Sequence, residues 1–358
     1  MINIISTEAC TTKVSGPGKV FRNLLKGLAK INAPFGVNQP IHSTSQVYIH
    51  NDRRALLNMP TAINAIVGPN IFLDPSEIPA GVSLKHCLFL QPCEWAREGW
   101  LELGFDQCPI KVWPVGIDTE KFYPGAHERN EILVMYKDWS SPPRLGDPQP
   151  ILAELEAHHL KFNLLVYPNY VESDYLRLLH RARLVVWYGR PETQGIGLLE
   201  ALACDVPMIV FDIPRLPEGH NQNGQLANLP ISTAPYFNDA CGVKIESVDQ
   251  LGKALDYVLD DLSRFSPRNY IEQNLSLEKQ ASALVALWDY WQTQEPGLLT
   301  SPSYANPSNL ETRTWHAWEP GGHWEQTARR MYKRVKYSIP QNIRVPIKRL
   351  ALRAIGRN

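Results

Sequence analysis

Pro191-Glu192-Thr193-Gln194-Gly195-Ile196-Gly197-Leu198-Leu199-Glu200-Ala201-Leu202-Ala203 follows the apolar run Leu184-Val185-Val186-Trp187-Tyr188 and precedes Val206-Pro207-Met208-Ile209-Val210-Phe211-Asp212. The first run reads as a buried strand and the Gly-x-Gly stretch as the turn out of it. A helix follows, with Ile196, Leu199, Leu202 and Ala203 as its apolar face, and then a second buried strand. Strand, turn, helix and strand make the repeating unit of a parallel α/β layer. Gly195 and Gly197 remove side chains where an anion must approach the backbone, and the helix they open points free N–H groups at it. Glu192 falls on the loop at the carboxyl end of the strand, the edge at which open α/β sheets bind ligands, and Glu200 falls near the second helical turn. Backbone amides for a diphosphate and two flanking carboxylates for hydroxyls are what a phosphate-bearing sugar requires. The alternative is a solvated loop residue at Glu192 and a helix-surface charge at Glu200.

Two further segments stand in order before this one. Trp113-Pro114-Val115-Gly116-Ile117-Asp118-Thr119-Glu120-Lys121-Phe122-Tyr123-Pro124 joins the two halves of the chain. Ser15-Gly16-Pro17-Gly18-Lys19 follows an opening strand Ile2-Asn3-Ile4-Ile5. Glu192 to Glu200, with Ala201-Leu202-Ala203 and Val206-Pro207 behind it, resembles the E-x7-E signature of retaining GT-B glycosyltransferases of the group 1, family-four-like type. The 113–124 segment is similar to the one these enzymes carry where the first domain hands over to the second, with Val115 where Asn is common. The Gly16–Gly18 stretch resembles their N-terminal glycine loop facing the donor diphosphate. The resemblance covers roughly residues 1 to 295 and implies a GT-B fold, two Rossmann-like domains facing a cleft.

Composition agrees with a folded two-domain protein. The 358 residues are 44% hydrophobic, enough for two cores, and the formal net charge is zero, which excludes a polyanion binder as a whole molecule. No charged leader followed by a long apolar run opens the chain, and no stretch is long enough to span a bilayer. Cys10, Cys87, Cys93, Cys108, Cys204 and Cys241 are scattered without a C-x-x-C pair, which favours reduced thiols in a cytoplasmic protein over a disulfide framework or zinc site.

Residues 1–125 are expected to form the N-terminal, acceptor-side domain. Its strands are expected at Asn3–Ile5, Val47–Ile49, Ile66–Val67, Cys87–Leu90 and Val112–Val115. Its helices are expected over about Lys19 to Lys30, burying Val20, Phe21, Leu24, Leu25 and Leu28, and around Trp95 and Trp100. Lys19, Arg22 and Lys26 then face water or a ligand. Residues 126–295 are expected to form the nucleotide-sugar domain, opening with strand Glu131–Lys137. A helix at 151–159, strand Asn163–Tyr167 and closing helices at 248–262 and 277–292 complete it, and the resemblance implies that the final helix returns toward the first domain, so that the chain crosses between the two twice. Lys137, a point charge at a strand's carboxyl edge, suits a diphosphate contact, with Arg144 as second choice; the alternative is a snorkelling lysine. By resemblance the end of 163–167 borders the nucleotide base, so Tyr167 or Tyr170 is a candidate stacking wall, against the alternative of a core or rim tyrosine.

Residues 296–358 read as a linker and basic tail. From Arg329 onward there are ten Lys or Arg residues and no Asp or Glu. Ile347, Leu350, Ala351 and Ala354 can share one helical face with Lys348, Arg349, Arg353 and Arg357 largely off it, as in a helix lying on an anionic membrane. Each basic group near such a surface contributes on the order of 1 kcal/mol. Trp315, Trp318 and Trp324 stand just upstream. The alternative is a solvated tail; a nucleic-acid contact has no recognition fold to support it. The expected location is cytoplasmic, peripheral on the inner face of the membrane.

By resemblance, Glu192 contacts the donor sugar's hydroxyls, Glu200 the ribose, and Gly195, Ile196 and Gly197 offer backbone donors. Lys137 and the Gly16–Gly18 loop neutralise the diphosphate. The partners implied are a nucleotide-sugar, used as substrate with no cofactor, and a glycan or lipid-linked acceptor in cell-surface polysaccharide or glycolipid synthesis. No Asp-x-Asp motif is present to hold a metal. Candidate bases are His50 and Asp52, after strand Val47–Ile49, with His42 and Glu94 behind them. The competing readings are an inactive GT-B membrane scaffold and a GT-B nucleotide-sugar epimerase or glycan phosphorylase.

Overall fold

The computed structural model describes residues 1–10, 15–42, 46–59, 63–72, 74–126, 128–138, 145–212 and 229–293. Arg144, the 296–308 linker, the three tail tryptophans and the basic segment 329–358 lie outside the described residues.

The first domain runs β1 (Ile2–Ser6), α1 (Gly16–Lys30), β2 (Phe35–Val37), β3 (Gln46–His50), α2 (Arg53–Asn58), β4 (Ala65–Val67), β5 (Cys87–Gln91), α3 (Glu94–Glu102) and β6 (Ile110–Val112). Among the described residues its six strands pair in parallel in the order β2-β1-β3-β4-β5-β6. The second domain runs β7 (Glu131–Lys137), α4 (Gln149–Ala157), β8 (Phe162–Val166), α5 (Glu172–Leu179), β9 (Ala182–Gly189), α6 (Ile196–Ala203), β10 (Met208–Phe211), β11 (Gly242–Ile245), α7 (Leu251–Asp260) and α8 (Pro267–Asn274). Its described strands form a parallel five-stranded sheet, β11-β10-β9-β7-β8. Several elements were not expected from periodicity: β2, α2, α5, α8 and β11 are short. The 248–262 helix is divided, a 3-10 turn at Val248–Gln250 preceding α7. The Gly16–Gly18 stretch is the first turn of α1 rather than a loop, because the Ser15 side chain caps it by accepting from the Gly18 N–H at 3.0 Å.

Parallel sheets are covered on both faces, and the alternation along β3 and β5 shows it. Val47, Ile49, Cys87 and Phe89 point into one cluster with Trp100, while Tyr48, Leu88 and Leu90 point into another with α1. That second cluster is completed by α9 (Leu277–Gln292), which returns from the second domain and places Leu284, Leu287, Trp288 and Trp291 against Leu24 and Leu28. Each fully buried leucine there contributes roughly 1.5–3 kcal/mol, so α9 is part of the first domain's core.

The chain thus crosses between domains twice, and the crossings lie side by side. The Ile117 N–H donates to Leu275 O at 2.7 Å, and Ile117 bridges Ser276 in parallel. Trp113 Nε1 donates to Gln280 O at 2.9 Å. A Cβ on Gly116 would sit 2.5 Å from Leu277 Cα, so only glycine lets the two crossings approach this closely. Among the described residues no helix is long and apolar enough to cross a membrane.

Candidate active site

The site grows from the carboxyl ends of β7 and β9. Their register sets Lys137 opposite Gly189, so the lysine stands beside the loop that leaves β9. Glu192 on that loop turns back, and its Oε1 accepts a hydrogen bond from Lys137 Nζ. The two side chains are only 16% and 18% exposed, a half-dry ion pair at the mouth of the sheet. Lys137 Nζ also lies 5.5 Å from the centre of the Tyr167 ring, just past the end of β8. Tyr167 meets Tyr170 edge-on, and Tyr170 packs on Tyr175, whose hydroxyl donates to Gly197 O at 2.7 Å. The tyrosines therefore brace the first turn of α6. Burial and the carboxylates of Glu200, Glu192 and Glu172 push the Tyr170 phenol well above its ordinary range, so it is a neutral donor at any working pH.

Gly195 caps α6 with φ of +75°, a left-handed conformation that suits glycine and turns the chain from loop to helix in one residue. Ile196 packs between cores of the two domains. Glu200, one turn further, is 2% exposed, and both its oxygens accept from Lys19 Nζ, at 2.6 and 2.7 Å. Lys19 comes from the first turn of α1 in the opposite domain. Its ammonium also pairs with Glu172 at 2.8 Å, and Glu172 takes a second hydrogen bond from Lys121. Burial opposes the Lys19 charge, but Glu200 and Glu172 together hold its pKa above the usual lysine value. For Glu200 burial wins and pushes the carboxyl up to about 7, with Lys19 pulling it back. Glu172 is less enclosed, and the hydrogen bonds from Lys121 and Lys19 overcome burial to hold it below the ordinary range.

The loop between the glutamates is docked onto the first domain. Trp95 Nε1 donates to Glu192 O at 3.1 Å, and Asn70 Nδ2 to Thr193 Oγ1 at 2.8 Å. Gln194, 5% exposed, clamps the Val115 residue at both ends: its Nε2 donates to Val115 O at 2.8 Å and its Oε1 accepts from the Val115 N–H at 3.2 Å. From behind, Ser232 O accepts the Glu192 N–H at 3.1 Å. Ser232 is fixed by buried Lys244, whose Nζ donates to Ser232 Oγ at 2.8 Å and pairs with Asp212 at 3.3 Å.

The structure thus brings Lys137, Glu192, Gly195, Ile196, Gly197, Glu200 and Tyr167 to one edge, with Gly16 and Gly18 across the cleft in the turn that carries Lys19. The four candidate bases stand differently. His50 is 1% exposed, stacked on Phe21 and hydrogen-bonded through Nδ1 to Ser6 Oγ at 3.0 Å. Burial lowers its pKa to about 4, which leaves it neutral and a weak base. Asp52 Oδ1 is engaged as the cap of α2, accepting from the Ala55 N–H at 2.9 Å. Glu94 pairs with Arg97 at 2.7 Å, and His42 is exposed. None of the six cysteines, all of them among the described residues, is joined in a disulfide, and five are buried. Among the described residues no three His, Cys, Asp or Glu side chains cluster as a metal site would need. Sequence reasoning assigned no role to Glu172, Lys121, Trp95 or Gln194 and left Lys19 facing an unspecified ligand. Of these only Lys19 carried a local signal, a cation directly after Gly18.

Residues 145–241, which include both Glu192 and Glu200, match the family described as glycosyl transferases group 1. No curated protein matches the chain by sequence. Among solved structures, sucrose-phosphate synthase from Thermosynechococcus elongatus superposes with a TM-score of 0.52 at 13% identity, covering 81% of this chain and 98% of that one. The pneumococcal O-GlcNAc transferase GtfA, solved with UDP and GlcNAc, gives 0.44 at 13% identity over 76% of this chain and 60% of its own. WaaG, a glycosyltransferase involved in lipopolysaccharide biosynthesis, gives 0.44 at 13% identity over 82% of this chain and 100% of its own. At such identities the likeness is one of fold, and the fold is GT-B, two Rossmann-like domains each built on a parallel sheet.

Proposed function

We propose that this chain is a glycosyltransferase that moves a sugar from a nucleotide-sugar donor to a hydroxyl of a glycan or lipid-linked acceptor, with retention of configuration. The observation that carries the reading is the placement of Glu192 and Glu200 on either side of the left-handed Gly195 turn, at the carboxyl edge of the second sheet and within a segment that matches group 1 glycosyl transferases. Glu200 takes the ribose hydroxyls, and Glu192 takes hydroxyls of the transferred sugar. The N–H groups that open α6 and the Lys137 ammonium face the diphosphate.

The main electrostatic task is the charge that develops on the bridging oxygen as the nucleoside diphosphate leaves. Preformed donors and a fixed cation at a half-dry site suit it, since they need no reorganisation when the bond breaks. With these groups in place the scheme assigns no part to a divalent metal, and activity after chelation by EDTA tests that. The acceptor proton passes to the departing phosphate, in keeping with the buried, neutral His50 and the engaged Asp52. We assign the basic segment 329–358 to the surface of an anionic membrane, where a lipid-linked or cell-surface glycan acceptor would be met.

Isothermal titration with nucleoside diphosphates and their sugars, on the natural protein and on Glu200→Ala, tests the reading. One nucleotide is expected to bind at micromolar affinity and to be lost in the variant. Absence of binding by every nucleotide sinks the proposal. Product analysis with candidate acceptors then separates transfer from epimerisation, which would change the sugar without an acceptor.

A further inference from the structure

We infer that Lys19 is a ligand for the donor's diphosphate, held on Glu200 and released by partner exchange when the ribose hydroxyls take the Glu200 oxygens. The inference rests on the nucleotide-sugar reading and deepens it. Both oxygens of Glu200 accept from one ammonium at 2.6 and 2.7 Å, and the carboxylate is almost fully enclosed. A ribose diol that donates to the same carboxylate competes for those acceptor sites, so Nζ must leave or share. The ammonium then keeps Glu172, at 2.8 Å, but that carboxylate already takes Lys121, so an ammonium that has lost two of its three acceptor contacts is open to a further one. The diphosphate is the anion that arrives together with the ribose, and it is bound through the same edge.

Geometry favours the transfer. Lys19 sits in the first turn of α1 directly after Gly18, on a flexible four-carbon stem that can redirect its head group without moving the backbone. Its side chain keeps 17% of its surface exposed, so it is not sealed into either domain's core. Glu172 keeps a second cation, Lys121, and so does not depend on Lys19 for its charge. The charges balance in pairs: Lys19 and Lys121 against Glu172 and Glu200, and Lys137 against Glu192. A diphosphate entering this neutral set draws the two lysines that now hold the hydroxyl-binding carboxylates, one from each domain. Donor binding would then be gripped from both sides of the cleft.

The test compares a nucleoside diphosphate with its own nucleoside, on the natural protein and on Lys19→Met, by titration and by competition. The nucleoside diphosphate that binds best is expected to weaken about tenfold or more in the variant, the scale of a lost charge-assisted hydrogen bond. The nucleoside should bind equally or more tightly, because the Glu200 oxygens are freed. Equal factors for both probes, or no change in either, would show Lys19 to be only a tie between domains and overturn the exchange. If Lys19→Met does not fold, Lys19→Gln, which keeps a donor toward the Glu200 carboxylate but no charge for the diphosphate, is read for the same ratio. If the natural protein binds none of the nucleoside diphosphates, the nucleotide-sugar reading itself fails, an outcome distinct from an unchanged ratio.

Discussion

Glu200 is held by two opposed forces. Burial disfavours its charge, and Lys19 favours it; the carboxyl ends near 7, so burial is the larger effect. Because the folded value lies above the ordinary value near 4.5, the folded protein keeps a proton between those limits that the unfolded chain gives up. The contribution to stability therefore rises as pH falls from about 7 towards 4.5. Lys19 works at the other end of the scale: its contribution is intact below the usual lysine value and is lost only as pH climbs past the raised one. Thermal unfolding of the natural protein and Glu200→Gln across pH 4.5–7 checks this. The natural protein is expected to gain up to about 3 kcal/mol relative to the variant on acidification; parallel curves would contradict the assignment. Glu192 and Glu200 were legible in the sequence because eight positions, one turn and one helix separate them. Lys19 as the partner of Glu200 was not, since 181 positions separate them and only the docking of two domains joins them.

At the scale of elements, the two crossing segments decide how the domains are held. Each is short and irregular, and neither has a periodicity that shows its partner. Gly116 lies where they touch, and a Cβ there would stand 2.5 Å from Leu277 Cα and 2.6 Å from Ser276 O, both backbone atoms that cannot step aside as a flexible side chain would. Gly116→Ala is expected to cost about 1–3 kcal/mol, in line with overpacking elsewhere. A urea titration reads it as a lower midpoint; an unchanged midpoint would mean that the crossings are free to part. The Gln194 clamp on Val115 belongs to the same junction, so the turn bearing the glutamates and the segment joining the domains are fixed as one piece. The helices α1 and α9 were readable from their apolar spacing. The short α2, α5 and α8 were not, because eight residues or fewer give a helical stripe too little length to stand out.

Over the whole molecule, the formal charge cancels while the last thirty residues, from 329 to 358, carry ten cations and no anions. Such a segregation contributes little to a folded core and a good deal at an anionic surface. Removal of 329–358 is expected to abolish co-sedimentation with vesicles containing anionic phosphatidylserine and to leave nucleotide affinity unchanged. Raising the salt should release the full-length protein in the same way, because the attraction is screened within a Debye length. Binding that survives both treatments would assign the surface contact elsewhere.

The sequence by itself determined the parallel α/β character of both halves, the position of the Gly195 turn and the two glutamates around it. These are local matters of apolar spacing and of which residues tolerate a tight turn. Only the tertiary structure decided which α9 side chains fill the first domain's core, that Gln194 clamps Val115, and that Lys19 crosses the cleft to Glu200. Those are contacts between segments far apart in the chain, made by packing two sheets' worth of elements against each other, and no short-range pattern encodes which side chains then meet.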